Sequence, residues 1–128
     1  MSERLQITRV RGDDWTVRVT VDEKDAAGIT TPYDAQLDDC EMVSTLRARM
    51  GGAEAWSGTK TGGEITLVEE SIGTAPRQVV TITVPSEVTE TLTSTVYVMD
   101  LELTHTPSGT RLTPIVLTVR VVQDVTTH

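Results

Sequence analysis

Apolar and polar side chains alternate residue by residue in several short runs of this chain. Trp15-Thr16-Val17-Arg18-Val19-Thr20-Val21 is the first clear run, and Tyr97-Val98-Met99-Asp100-Leu101-Glu102-Leu103 and Ile115-Val116-Leu117-Thr118-Val119-Arg120-Val121 repeat it. Successive side chains on a strand point to opposite faces, so each run describes a strand with one buried face. No long segment repeats at helical spacing. The inward set predicted by the alternation is Trp15, Val17, Val19, Val21, Met42, Leu46, Ile65, Leu67, Val80, Ile82, Val84, Tyr97, Met99, Leu101, Leu103, Ile115, Leu117, Val119 and Val121.

The elements follow from these runs and the turn residues between them. Strands are predicted over Arg4–Val10, Asp14–Asp22, Cys40–Arg49, Glu64–Glu69, Gln78–Val84, Thr95–Thr104 and Arg111–Gln123, with a weak one over Ala53–Ser57. Gly51-Gly52 and Gly62-Gly63 punctuate a hairpin-like region, and Pro107-Ser108-Gly109 is a strong turn signal. Glu23–Asp39 is the longest and least regular connection. Pro85-Ser86-Glu87 opens a helical segment of a turn or two, ending near Leu92. Pro114 cannot donate to a ladder, so it marks an edge or a bulge in the last strand. About seven short strands with regular turns predict an all-β fold, an immunoglobulin-like antiparallel β-sandwich. A small barrel is the rival. Tyr97-Val98-Met99 stands where such sandwiches often carry a tyrosine two residues ahead of a core position. The Cys…Trp…Cys hallmark of antibody domains is absent.

Length and composition agree with one domain over residues 1–128. A chain of this size buries about two-thirds of its unfolded surface, so neither disulfide nor metal is needed for folding. Thr and Val make up nearly a third of the chain, and both suit pleated surfaces. Cys40 is the single cysteine, which fits synthesis in a reducing compartment. The formal charge of −8 and the scatter of eleven basic residues argue against nucleic acid and against an anionic membrane surface. No run approaches the ~20 apolar residues of a membrane span. Met1-Ser2-Glu3-Arg4 lacks the apolar core of a signal peptide, so the protein is expected to stay in the cytoplasm where it is made, or to leave without the general secretory route.

Candidate chemistry is sparse, and no catalytic, cofactor or metal residue is assigned. Arg11-Gly12-Asp13 spells the tripeptide that integrins read, but Gly12 is already accounted for as a strand break. The acids Asp13-Asp14, Asp22-Glu23-Asp25 and Asp38-Asp39-Glu41 match no calcium loop and read as solvated. His105 and Ser108 share a turn, with Asp100 on the strand before; a hydrolase built on His105 needs all three within reach. His128 is terminal, and no His-x-x-x-His pair supplies metal ligands. Cys40, alternating with Met42, reads as a small buried hydrophobe. Trp56, between glycine pairs, is the one aromatic placed to stack on a sugar, the basis of a carbohydrate-binding module as the reading from another class.

Three stretches resemble one group of tailed-bacteriophage structural proteins. Ile7-Thr8-Arg9-Val10-Arg11-Gly12-Asp13-Asp14-Trp15-Thr16-Val17 is similar to the opening of proteins related to the N-terminal immunoglobulin-like domain of baseplate upper proteins. Val96-Tyr97-Val98-Met99-Asp100-Leu101-Glu102-Leu103 resembles their late strand. Ser108-Gly109-Thr110-Arg111-Leu112, running to Val121-Val122-Gln123-Asp124-Val125-Thr126, resembles their closing hairpin and tail. Two details depart from that group. Thr31-Pro32-Tyr33-Asp34-Ala35 replaces its Leu-Thr-Gly turn, and Leu92-Thr93-Ser94-Thr95 lacks the glycine ahead of the tyrosine strand. The resemblance implies a non-enzymatic virion structural protein, made in the bacterial host cytoplasm, serving as an accessory of tail, baseplate or fibre attachment. Capsid decoration or a head-fibre role is the alternative. Its partners would be other virion proteins, or itself as a homo-oligomer, with no cofactor. The alternation also leaves Val43, Val96, Val98, Val116 and Val122 pointing outward. If their strands share a sheet, these valines could lie side by side as a partner interface, unless Glu23–Asp39 folds over them.

Overall fold

The computed structural model describes residues 4–24, 26–49 and 51–123; residues 1–3, Asp25, Met50 and the tail from Asp124 to His128 lie outside that set. Ten strands and two single-turn helices follow one another. They are β1 (Arg4–Val10), β2 (Trp15–Val19), β3 (Asp22–Lys24), β4 (Thr30–Pro32), α1 (Asp34–Leu37), β5 (Cys40–Arg47), β6 (Glu54–Thr59), β7 (Ile65–Ile72), β8 (Ala75–Val84), α2 (Ser86–Thr89), β9 (Val96–His105) and β10 (Thr110–Val122). One sheet has the order β1-β10-β9-β5-β6, the facing sheet β2-β8-β7, and β3-β4 form a separate hairpin. The chain is an all-β sandwich. Its strand order follows the immunoglobulin plan, with the second, fifth and fourth strands of that plan in one sheet and the third, sixth and seventh in the other.

Two features differ from the expectation. The sandwich is not wholly antiparallel, because β1 runs parallel to β10, from Arg4 opposite Val116 to Val10 opposite Val122. Parallel pairing needs a long crossover, and here it is supplied by nearly the whole domain. After β1 the chain crosses to the second sheet through Arg11–Asp14, where Gly12 adopts φ +92°, a conformation that favours glycine. The strand count is also higher than seven. β3, β4 and α1 all lie in the connection read as irregular. They are three or four residues long, and β3 and β4 are exposed throughout, so they carry no inward-outward pattern to read. The β7–β8 hairpin extends further than predicted, closing at Gly73 with φ +66°.

The core lies between the two sheets, and every residue the alternation placed inward is either buried there or packed against it. Trp15 is 1% exposed, and its Nε1 donates to the Val10 carbonyl at 2.8 Å, pinning the end of β1 to the start of β2. Tyr97 stands two residues ahead of the buried Met99 as expected, and its hydroxyl accepts from the Thr93 and Ser94 N–H groups, both at 3.1 Å, the corner such sandwiches make. Pro114 sits in a bulge, since the register of β10 on β9 jumps between Leu112 and Ile115. Tyr33, Leu37 and Leu92 were not in the predicted set. They come from connections and seal the core.

The connection before β5 is held by charge. Arg77 on β8 grips Asp34 through Nε at 3.0 Å and Nη2 at 3.2 Å, and the same Nη2 reaches Asp22 at 2.8 Å and the Val21 carbonyl at 3.2 Å. Burial pushes the Asp34 carboxyl up, but the hydrogen bonds from Arg77 and the Gln78 N–H, with the Arg77 charge, outweigh it and leave Asp34 below the usual carboxylate range. Nearby, the Lys60 ammonium donates to the carbonyls of Leu37, Asp38 and Cys40 at 3.4, 2.9 and 3.1 Å, satisfying groups at the end of α1.

Trp15→Ala should lower the unfolding free energy by about 3–5 kcal/mol in a urea titration. A loss under about 1 kcal/mol would mean that the β2 register is shifted by one residue. Arg77→Ala should cost about 2 kcal/mol at neutral pH, since it strips charged hydrogen bonds from a side chain only 16% exposed. Asp34 has a depressed folded-state pKa, so the pair's stabilisation is complete above the unfolded value and fades as pH falls through the folded one. The gap between parent and variant should therefore close in acid.

Candidate interaction face

β5, β9 and β10 share one sheet, and the five outward valines lie on its outer side, on β5, β9 and β10. Val43 is 38% and Val96 44% exposed; Val98, Val116 and Val122 are half-buried. The described part of the 23–39 connection makes hydrogen bonds with Val21, Cys40, Lys60, Arg77, Gln78 and Thr106.

The register spaces the valines differently from a side-by-side row. Val96 stands opposite Arg120, and Val98 between Thr118 and Arg47. Val116 faces Asp100, and Val43 lies between Glu102 and Thr59. Val122 is the exception, opposite Val10. The result is a checkerboard in which valines meet along diagonals, still within side-chain reach, and charged groups fill the squares between. The alternation turns Asp100, Glu102, Thr118 and Arg120 outward, but which of them stand across from one another was not legible in the sequence. The neighbours of Arg47, Asp100, Glu102 and Arg120 emerge only from the cross-strand register.

Asp100 occupies the centre of the checkerboard. Its Oδ1 accepts from the Thr45 N–H at 3.3 Å, and Arg47 Nη1 approaches Oδ2 at 3.4 Å. Burial raises the Asp100 carboxyl above its usual range, and the nearby Glu102 charge adds to this. The Thr45 N–H and the Arg47 charge pull the other way without cancelling it. Beyond Val98, toward the start of β9, Gln6, Thr95, Val96, Thr118 and Arg120 line an open depression of about 500 Å³.

The opposite sheet covers one outward valine, Val79, and leaves its cross-strand neighbour Val68 43% exposed. Val79 faces away from the core, yet it is 3% exposed. Arg18 on β2 and Glu70 on β7 form an ion pair across β8, above Val79.

The remaining candidates fall elsewhere. His105 Nδ1 and Ser108 Oγ are 2.8 Å apart on an exposed turn, and Ser108 donates to Thr110 Oγ1 at 3.0 Å. Asp100 and His105 are an odd number of residues apart on β9, so their side chains leave opposite faces and the acid cannot orient the imidazole. Trp56 is not an exposed platform. It lies opposite Leu46 on the inward side, half-buried, with its ring so close over Gly58 that a Cβ there would come within 2.5 Å of it. Cys40 is buried and donates to the Gln36 carbonyl at 3.3 Å; burial pushes its thiol up, although Lys60 stands near. The Arg11-Gly12-Asp13 loop is tied inward. Arg11 donates to the Ser94 carbonyl at 3.0 Å, the Gly12 N–H to Thr89 Oγ1 at 3.1 Å, and Thr89 to the Asp13 carbonyl at 2.7 Å. Of the loop acids, Asp14 accepts from the Ser86 N–H, Asp22 from Arg77 and Glu41 from Thr61. Among the described residues no three His, Cys, Asp or Glu side chains converge.

No protein-family model matches the chain, and neither does any curated protein.

Because folding raises the Asp100 pKa, the charged carboxylate opposes folding and that penalty is relieved as pH falls. Asp100→Asn should therefore melt at a higher temperature than the parent at pH 7, and the difference should vanish near pH 3. An unchanged or lower melting point at pH 7 would show that the Arg47 pair outweighs burial.

Proposed function

We propose that this protein is a non-enzymatic virion structural protein of a tailed bacteriophage, an accessory of tail, baseplate or fibre attachment that docks other virion proteins through the outer side of its five-stranded sheet. The observation that carries the docking face is the set of five outward valines around a half-buried Asp100. A sheet face turned to water normally carries polar residues throughout, whereas interface cores are depleted in charge and rich in apolar area. The virion assignment rests on the resemblance of the opening, late-strand and closing-hairpin segments, which run in the same order as in that phage group. Capsid decoration would use the same face with a different neighbour. No helix among the described residues is long and apolar enough to cross a membrane.

The test is the double substitution Val98→Lys with Val116→Lys. Two lysines on diagonal squares break the apolar path across the face without touching the core. Incorporation into particles should fail while the isolated domain keeps its fold and stability to within about 1 kcal/mol, the range for surface changes. Normal incorporation would refute the docking face, and unfolding would mean that these valines are covered within the chain.

A further inference from the structure

We infer that the free edge of β7 pairs with β7 of a second copy, antiparallel about a two-fold axis at Val68, so that two three-stranded sheets join into one of six. This edge belongs to the sheet opposite the proposed docking face and is independent of that reading. The ladder fixes which groups are free. The Thr83 N–H donates to the Glu64 carbonyl at 2.9 Å, so the even residues of β7 bond to β8. The backbone N–H and C=O groups of Ile65, Leu67, Glu69 and Ser71 therefore point away from β8, off the edge of the sheet. Among the described residues no other group bonds to them.

The other open edges are guarded. Arg9 donates to the Thr8 and Thr16 carbonyls at 2.9 and 3.1 Å, which sets one guanidinium against both β1 and β2. β6 shifts register against β5 between Leu46 and Arg47. β8 outruns β2, and the Asp34 carboxylate accepts at 2.9 Å from the Gln78 N–H that β2 does not reach. β7 has none of these devices. It pairs with β8 in unbroken register for eight residues, with no proline, lysine or arginine. Such an edge is a template for another strand.

The residues on this edge select the second copy as that strand. A two-fold axis at an edge strand sets one residue against its own copy, and the pairing runs antiparallel from there. Two centres pair seven residues of β7 with their copies. Centring on Glu69 sets two carboxylates directly opposite, which is destabilising. Centring on Val68 sets Glu70 against Thr66, Glu69 against Leu67 and Ser71 against Ile65, and gives every free backbone group a partner. Val68 then meets its copy in a pair without hydrogen bonds, where strands approach closest, about 4.5 Å between Cα atoms. Val68 is 43% exposed and stands across from Val79, which is 3% exposed. The dimer extends that pair into a row of valines across the joined sheet, Val79 and Val68 of each copy, and covers Val68.

The experiment is sedimentation equilibrium of the full chain from micromolar to millimolar concentration. A dimer that tightens with added salt is expected, because salt screens the repulsion between two chains of charge −8. Glu69→Pro deletes an edge donor that the fold does not use and should weaken the dimer at least about tenfold. Val68→Lys should do the same by setting two cations together at the axis. Circular dichroism checks that both variants are folded. Under oxidising conditions Val68→Cys should cross-link the dimer, whereas Glu70→Cys should not, since its copies lie about 14 Å apart. A dimer that either folded variant leaves unweakened, or cross-linking as fast through Glu70→Cys as through Val68→Cys, would overturn the pairing. A wild-type chain that stays monomeric at millimolar concentration would overturn it too and leave the edge to a strand of another protein.

Discussion

The register of β9 against its two neighbours is the constraint on which the rest of the molecule depends. β9 is the middle strand of the five, hydrogen-bonded to β5 on one side and β10 on the other. Its odd positions, Tyr97, Met99, Leu101 and Leu103, are all within 4% of complete burial. Its even positions form the outer face. A slip of one residue would exchange the two sets and expose the core side chains, so burial holds the register with several kilocalories per mole in its favour. The Tyr97 hydroxyl, bound by the Thr93 and Ser94 N–H groups, fixes where β9 begins. Ser44 reinforces the pairing from inside the sheet, donating to the Asp100 carbonyl at 2.8 Å from a fully buried position.

Around that sheet, side-chain polar bonds fasten the connections. Buried backbone groups outside regular ladders need partners, and here single residues serve several at once. Lys60 supplies three carbonyls in the segment leading into β5, while Arg77 supplies two carboxylates and a carbonyl. At the other end Thr89 accepts from the Gly12 N–H and donates to the Asp13 carbonyl, locking the crossover from β1 to β2 onto α2. The Arg11 guanidinium and the backbone of Gly12 and Asp13 are thus engaged by the fold itself.

Outward valines on both sheets differ in exposure, and on the three-stranded sheet Val68, opposite the buried Val79, is 43% exposed. Val79 is covered inside the molecule by an Arg18–Glu70 pair that reaches over a single strand. On the five-stranded sheet the charged neighbours stand beside the valines rather than over them, and apolar surface stays accessible at Val43 and Val96. A net charge of −8 keeps such a chain soluble while that surface is open.

Strand identity and the inward set were legible in the sequence because both rest on a two-residue period that each segment carries by itself. Arg4–Val10 is found as predicted, the corner at Tyr97 and the bulge at Pro114 are in place, and no predicted core residue is misplaced. The short elements of the Glu23–Asp39 connection were not legible, because three exposed residues have no periodicity and are held by Arg77 and Lys60 from far along the chain. Nor was the parallel addition of β1, which depends on the last strand of the chain being in place. The outer valines were named from sequence, but their spacing was not, since alternation gives the face of a side chain and says nothing of what lies across from it. Only the cross-strand register put Arg120 beside Val96 and Asp100 beside Val116, because pairing between distant strands is settled by how the whole core closes.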